Sequence, residues 1–108
     1  MDTEYLVFGL NRLMKIDGQI HILDFPVNVG GAVFVTDNNN IAARYSPITI
    51  IHYQGHVTPD GDTRGHYMAD ILDVERNKWY RTSDNSKPRE LQVCELSNQG
   101  YIYLYKRM

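Results

Sequence analysis

The sequence contains one cysteine, Cys94, among its 108 residues, and it has no long apolar run. A single cysteine cannot form a disulfide within the chain, so a disulfide-stapled secreted scaffold is excluded and a reducing compartment, cytoplasm or nucleus, is predicted. A membrane-spanning helix needs about 20 predominantly apolar residues, which no segment provides. The first residues, Met1-Asp2-Thr3-Glu4, also have none of the positive and then apolar character of a secretion signal.

An excess of charge of one sign is also lacking. The chain has 11 Lys and Arg against 13 Asp and Glu, a formal net charge of -2, and the two signs are interspersed. Nucleic-acid-binding domains normally carry a basic face, so no nucleic-acid partner is expected. The missing apolar span and secretion signal predict no membrane partner either. At this length we predict one domain, residues 1-108.

Signals for long helices are scarce, and short apolar runs bounded by Gly, Asn and Asp predict a mainly β fold. Asp17-Gly18 between two such runs is the strongest hairpin signal, since both residues tolerate the positive φ of a type I′ turn. We expect an antiparallel sheet, or a partly open barrel, of about seven strands. A short Asn77-Lys78 turn predicts that the strands containing His66 and Trp79 are antiparallel neighbours.

The predicted strands are apolar on both faces, which a small chain with little helix cannot cover easily. We therefore expect a missing helical layer, a partner or self-association, and the alternative is a small barrel that closes on itself. The first strand illustrates the pattern: Leu6, Phe8 and Leu10 alternate with Tyr5, Val7 and Gly9.

The segment Gly65-His66-Tyr67 is the strongest candidate for chemistry. An apolar strand, Pro47-Ile48-Thr49-Ile50-Ile51-His52-Tyr53, precedes it, and a polar, Gly-rich loop is predicted from Gln54 to Arg64. This arrangement would place His66 at the start of a strand, at the mouth of a loop. Such a position is held rigidly on one side and reached by solvent on the other, which suits a general acid or base.

The order and spacing of these elements resemble the C-terminal part of the ubiquitin-specific proteases, the papain-like cysteine peptidases of family C19. The resemblance implies the β-rich palm sub-domain of an α+β peptidase, and it extends over nearly the whole chain. The matching segments are Tyr5-Leu6-Val7-Phe8-Gly9-Leu10-Asn11-Arg12-Leu13, Phe25-Pro26, Ile50-Ile51-His52-Tyr53-Gln54-Gly55, Gly65-His66-Tyr67, Trp79-Tyr80-Arg81-Thr82-Ser83-Asp84 and Tyr101-Ile102-Tyr103-Leu104-Tyr105-Lys106.

The resemblance implies ubiquitin recognition and thiol-dependent isopeptide hydrolysis, with His66 as the general base. Ser83 and Asp84 are the candidates for the group that orients its imidazole. Counted from Trp79, Ser83 takes the place of the family's usual Asn or Asp, and Asp84 matches the Asp that follows. The alternative for these residues is an ordinary buried polar network.

A substrate-binding role is implied for the same region. In the resemblance, the loop from Gln54 to Arg64 flanks the channel that takes the extended C-terminal tail of ubiquitin or a ubiquitin-like protein. Asp60 and Asp62 could then offer carboxylates to the basic residue of that tail. The alternative for them is a turn at Pro59-Asp60-Gly61. The substrate-binding candidates are His52, Asp60, Asp62, Gly65 and Tyr67.

The catalytic nucleophile that the resemblance implies has no counterpart in the sequence. Nothing in the chain matches the family's Cys box, and Cys94 follows the histidine instead of preceding it. Cys94 is expected in an apolar strand, where a lone Cys is more often a small buried hydrophobe, so it is not expected to be the nucleophile. The chain is thus expected to be a fragment, a split half that needs a Cys-bearing partner chain, or a relative without peptidase activity.

Two other classes of function stay open: a non-catalytic ubiquitin- or protein-binding β module, and a self-associating structural domain. Five candidate metal ligands also lie close together in the sequence. The chain has neither a Cys pair nor a His-Glu-x-x-His spacing, so no metal and no cofactor is predicted. The five residues are His52, His56, Asp60, Asp62 and His66.

Overall fold

The computed structural model describes residues 4–23, 26–27, 32–36, 38–83 and 87–108. These residues form nine strands and a short 3-10 helix, and no α-helix is present among them. Phe25 and Asp84, which contribute to the family resemblance, lie outside the described residues. The strands are β1 (Tyr5–Gly9), β2 (Leu13–Ile16), β3 (Gln19–Ile22), β4 (Val33–Thr36), β5 (Ala42–Val57), β6 (Thr63–Asp73), β7 (Lys78–Ser83), β8 (Arg89–Leu91) and β9 (Gly100–Arg107), and the 3-10 helix is Val93–Glu95.

Seven of the strands form one antiparallel sheet in the order β1-β9-β5-β6-β7-β8, with β4 pairing with the first part of β5. Strands β2 and β3 form a separate hairpin. The predicted mainly β, antiparallel architecture of about seven strands is confirmed. The closed-barrel alternative is wrong, because β1 and β8 are the two ends of the strand order and do not pair with each other.

The turn signals in the sequence correspond to real turns. Asp17 and Gly18 have φ values of 51° and 80°, and they connect β2 to β3 with Ile16 opposite Gln19. Asn77, with φ 53°, ends the short connection between β6 and β7. The predicted antiparallel pairing of the His66 and Trp79 strands is confirmed, since Leu72 lies opposite Trp79.

The β5–β6 hairpin is longer than the sequence predicts. Gly55 pairs with Gly65 and Gln54 pairs with His66, so the loop is confined to residues 58–62. The predicted loop from Gln54 to Arg64 is therefore wrong, as is the placement of His66 at a loop mouth. The glycines Gly55 and Gly65 suggest a loop in the sequence, but in the structure their small size lets both strands continue beneath the ring of Tyr53. A Cβ on Gly55 or Gly65 would lie 2.6 or 2.8 Å from Cζ of Tyr53.

Both faces of the sheet are apolar, as the alternation predicts. The inner face carries the buried cluster of Ala43, Tyr45, Ile50, Tyr103 and Tyr105. Partly buried residues pack against this cluster, among them Leu6, Leu10, Val33 and Leu96. The outer face leaves large apolar side chains exposed, including those of Val7, Tyr67, Ile71 and Ile102.

The connection from β8 to β9 holds the 3-10 helix. Gln92 precedes this helix, and its backbone N–H donates to the Glu95 carboxylate at 2.8 Å. Cys94 lies in the helix and is exposed, so the expectation of a buried Cys in an apolar strand is wrong. The local hydrogen bond between Gln92 and Glu95 favours the helical turn over a strand. None of the helices in the described ranges is long and apolar enough to cross a membrane.

Candidate functional site

His66 and Ser83 lie on the same face of adjacent strands. Met68 in β6 is directly opposite Ser83 in β7. Residues two apart in a strand point to the same face, so His66, Met68 and Asp70 all share the inner face with Ser83. His66 and Ser83 are therefore diagonal neighbours, for which the Cα separation in a sheet is about 7 to 8 Å.

His66 is exposed, so solvent or a substrate can reach its ring. Its partner across the β5–β6 hairpin is Gln54. Within the described ranges no side chain is hydrogen-bonded to the His66 ring. The orienting role of Ser83 therefore stays a prediction, and so does that of Asp84, which lies outside the described residues.

A buried charge network centred on Asp70 lies on the same face, four residues along β6 from His66. His52 Nε2 is 3.0 Å from Asp70 Oδ1, and Arg81 reaches both carboxylate oxygens through Nε at 2.7 Å and Nη2 at 3.0 Å. The backbone N–H of Ser97 donates to Asp70 Oδ2 at 2.9 Å. The sequence predicts that His52 binds substrate, but the residue is only 5% exposed and its side chain belongs to this Asp70 network.

The Asp70 network keeps its carboxylate ionised. Burial would raise the pKa of Asp70, but hydrogen bonds from His52, Arg81 and Ser97 outweigh it and hold the pKa well below its usual range. The hydrogen bond to Asp70 in turn raises the pKa of Arg81, although burial opposes it. The network therefore contains an ion pair with Arg81 in which the Asp70 carboxylate is fully buried.

The Asp70 network joins four parts of the chain. His52, Asp70 and Arg81 belong to β5, β6 and β7, and Ser97 belongs to the connection from β8 to β9. Arg81 Nη2 also donates to the backbone carbonyl of Glu95 at 3.1 Å, which fastens that connection to the sheet. Sequence reasoning missed Asp70 as a functional centre. The available signal was a charged residue inside the apolar strand Met68-Ala69-Asp70-Ile71-Leu72, which requires a charged partner if it is buried.

Tyr67 is on the outer face, opposite to His66, because neighbouring residues of a strand alternate. It pairs across the hairpin with Tyr53, and their ring centroids are 4.9 Å apart. Tyr101 completes this aromatic cluster at 6.0 Å from Tyr53 and 6.4 Å from Tyr67. The structure therefore separates two predicted site residues, His66 and Tyr67, onto different faces, while Gly65 lies beneath the Tyr53 ring.

Asp60 and Asp62 lie in the hairpin loop, which has regular turn geometry. The Thr58 hydroxyl donates to the Asp60 carboxylate, which lowers the pKa of Asp60. Thr58 N donates to the Asp62 carbonyl at 2.7 Å, and Gly61 has φ 85°. The loop lies about 13 Å along the hairpin from His66, at about 3.3 Å per residue. The described residues include no cluster of three His, Cys, Asp or Glu side chains able to hold a metal ion.

Comparison with known proteins supports the family resemblance. No protein-family model matches the chain. The chain is 34% identical over 86 residues to ubiquitin carboxyl-terminal hydrolase 3 of Saccharomyces cerevisiae, which covers 76% of this chain and 9% of that protein. It is 28% identical over 64 residues to ubiquitin carboxyl-terminal hydrolase 37 of Gallus gallus, covering 56% of this chain and 6% of that protein. The chain thus spans less than a tenth of the length of these curated relatives.

The fold also matches a solved structure. The SAGA Ubp8/Sgf11/Sus1/Sgf73 DUB module bound to ubiquitin aldehyde contains a chain with the same fold. The TM-score is 0.75 at 19% identity, and the match covers 97% of this chain and 24% of that chain. At this identity the likeness establishes the fold, and the two sequence relatives connect that fold to the ubiquitin hydrolases.

Proposed function

Because the chain resembles the C-terminal, palm-like part of the ubiquitin-specific proteases in sequence and in fold, we propose that it recognises ubiquitin through the sheet that carries His66. The observation that carries this proposal is the location of His66 and Ser83 on one face of adjacent antiparallel strands, in the sequence context that the family uses. The two relatives are named ubiquitin carboxyl-terminal hydrolases, and the module that contains the structural neighbour is bound to ubiquitin aldehyde. The single cysteine fits a cytoplasmic or nuclear location.

The chemistry proposed for the site is proton transfer by His66. A thiol outside this site loses its proton to the imidazole, and the thiolate attacks the isopeptide carbonyl to form a C–S bond. The C–N bond then breaks, and the lysine amine leaves with the proton from the imidazolium. Ser83, and Asp84 beside it, would hold the ring in the required orientation. Water finally hydrolyses the thioester and releases the thiol.

We propose further that the chain alone binds ubiquitin without cleaving it, because the family's Cys box is absent from the sequence. Binding to ubiquitin is measured by NMR chemical-shift titration of the labelled chain. Ubiquitin that lacks its last two glycines is the matched control, since it keeps the folded surface and loses the end of the tail.

The expected result is a set of shifts in β5 and β6 with intact ubiquitin, and a loss of the shifts around Gly65 and His66 with the truncated form. Absence of binding to either form would contradict the proposal.

A non-catalytic protein-binding module is the second candidate function, and one observation favours it. Ser83 occupies the place where the family usually has Asn or Asp, and a hydroxyl stabilises an imidazolium less than a carboxylate does. In this case ubiquitin binding would survive His66→Ala and would not depend on the tail. The same titration with truncated ubiquitin therefore separates the two functions.

A further inference from the structure

The outer edge of β1 presents backbone groups to solvent in a regular pattern. Arg107 N donates to the Glu4 carbonyl at 2.8 Å, and Leu10 N donates to the Tyr101 carbonyl at 2.7 Å, so Glu4 and Leu10 bond to β9. Hydrogen-bonded positions alternate in an antiparallel ladder. The N–H and C=O groups of Tyr5, Val7 and Gly9 therefore point away from β9. Among the described strands, none pairs with that edge.

This edge lacks the protection that natural sheets normally carry. Edge strands are usually short, charged or interrupted by proline, because a long apolar edge recruits another strand. The opposite edge, β8, has such protection: it has three residues, Arg89–Leu91, and follows Pro88. The β1 sequence Tyr-Leu-Val-Phe-Gly contains neither charge nor proline, and its Val7 is 66% exposed.

We propose that two copies of the chain pair edge to edge through β1, in an antiparallel register centred on Val7. In this register Val7 lies opposite the partner's Val7, and Tyr5 lies opposite the partner's Gly9. Because Tyr5, Val7 and Gly9 are symmetric about Val7, all of their outward N–H and C=O groups meet a partner group. The pairing is isologous, so it closes at two copies.

In this register the outer-face side chains of β1 in one copy fit those of β1 in the other copy. Nothing lies within 4 Å of a Cβ added to Gly9, so the space above it is open. The ring of the partner's Tyr5 fits there, just as Tyr53 covers Gly65 within this chain. No charged residue lies in β1, so the pairing brings no like charges together.

On the inner face the same register places Leu6 opposite the partner's Phe8. Phe8 is 44% exposed in the single chain and lines an open apolar cavity of about 360 Å³. Leu10, Val27, Val33, Tyr103 and Tyr105 form the rest of the described lining. Pairing therefore covers an exposed aromatic ring and extends both apolar faces across the contact. A second copy of the chain is the one occupant that pairs the outward backbone groups of β1, fills the open space above Gly9 and covers the exposed ring of Phe8.

The first test is the mass of the full chain by light scattering over a dilution series. The wild-type chain is expected at twice its 12.5 kDa mass at high concentration. Val7→Lys would place two like charges opposite each other at the centre of the contact and is expected to stay at the single-chain mass. Ile71→Lys is the matched control, because Ile71 is on the same face, is 40% exposed and lies in the interior strand β6, away from β1. This control is expected to keep the doubled mass. Circular dichroism checks that each variant is folded.

The second test fixes the register by oxidative crosslinking in a Cys94→Ser background. Directly opposite hydrogen-bonded residues have Cα atoms about 5.5 Å apart, within disulfide range, so Val7→Cys is expected to yield a covalent dimer. Tyr5→Cys is the control, because its two copies would be about 13 Å apart. A wild-type chain that stays monomeric at all concentrations, a dimer that Val7→Lys does not weaken, or crosslinking at Tyr5 and not at Val7 would each overturn the proposal.

Discussion

Asp70 holds a negative charge at a fully buried position. The loss of any of its hydrogen bonds should therefore lower the free energy of unfolding. An isolated ionised carboxylate is expensive to bury, and it is tolerated only with charged and hydrogen-bonded partners. Arg81 supplies a two-point contact, and His52 and Ser97 N occupy the remaining oxygen positions. The removal of one partner should therefore destabilise the chain more than the removal of an exposed ion pair.

We predict that Arg81→Ala lowers the free energy of unfolding by about 3 kcal/mol, because it leaves the buried carboxylate without its main partner. Urea denaturation measures this change. Lys78→Ala is the control: Lys78 pairs with Glu90 at 3.2 Å, but both side chains are about half exposed, so the expected loss is below about 1 kcal/mol. Equal losses in the two variants would contradict a structural role for the Asp70 network.

The lowered pKa of Asp70 predicts a loss of stability in acid. Between the low folded pKa and the unfolded value near 3.9, the unfolded chain binds more protons, so stability rises with pH there. The contribution is complete above about pH 4 and is lost as pH falls through the folded pKa. Urea midpoints measured from pH 6 to pH 2 should fall steeply below about pH 4. Asp70→Asn should flatten this dependence, and an unchanged slope would contradict the assignment.

At the scale of elements, the β5–β6 hairpin shows how one aromatic ring extends a strand pair. The Gly55 and Gly65 backbones lie side by side beneath Tyr53, and the Tyr67 ring packs against the same ring at an interplanar angle of 49°. Glycine normally weakens a strand, because it has no side chain to pack. Here the ring of Tyr53 replaces the missing side chains, so the glycines mark close packing instead of a loop. His66 is consequently held on a paired strand.

We predict that Gly65→Ala destabilises the chain by about 1 to 3 kcal/mol, the usual cost of overpacking. The added methyl group would lie 2.8 Å from Tyr53 Cζ and even closer to the backbone of Gln54 and Gly55, which cannot move easily. Gly9→Ala, studied at low protein concentration, is the control and should change stability by less than about 0.5 kcal/mol, since its Cβ meets open space. Chemical denaturation compares the two. A similar effect at both positions would argue against the packing role of the ring.

At the scale of the whole molecule, the open sheet keeps the proposed ubiquitin-binding site and the proposed dimer contact apart from each other. His66 in β6 and Ser83 in β7 lie on the inner face. The β1 edge, with which none of the described strands pairs, lies on the far side of β9 and β5. A dimer through β1 would therefore leave the His66 region accessible. Binding of ubiquitin and self-association are compatible in this geometry, and each can be tested without the other.

We predict that the isolated chain does not hydrolyse a ubiquitin-fluorophore conjugate, because a general base without a nucleophile has no proton to accept. The assay should remain at the rate of buffer alone. His66→Ala and Cys94→Ala serve as controls and should change nothing. Turnover that persists through purification and is abolished by Cys94→Ala would overturn this prediction and identify Cys94 as the nucleophile.

The sequence by itself determined the β class, the Asp17-Gly18 hairpin and the antiparallel neighbours β6 and β7. These features depend on strand alternation and on turn residues, which act over a few positions. It also indicated His66 and Ser83, and the confirmed β6–β7 pairing brings both to one face, while their roles remain predictions.

Only the tertiary structure decided the surroundings of that site. The bond from Ser97 to Asp70 joins residues 27 positions apart, and the Arg12 bond to the Gly100 carbonyl joins residues 88 apart. Such contacts follow from the register of the sheet, which local patterns do not specify. For the same reason the local pattern around Gly55 and Gly65 predicts a loop, whereas packing beneath the Tyr53 ring makes both glycines part of paired strands. The local pattern around Cys94 likewise predicts a strand, whereas the residue lies in a connection that is hydrogen-bonded to Arg81 through the Glu95 carbonyl.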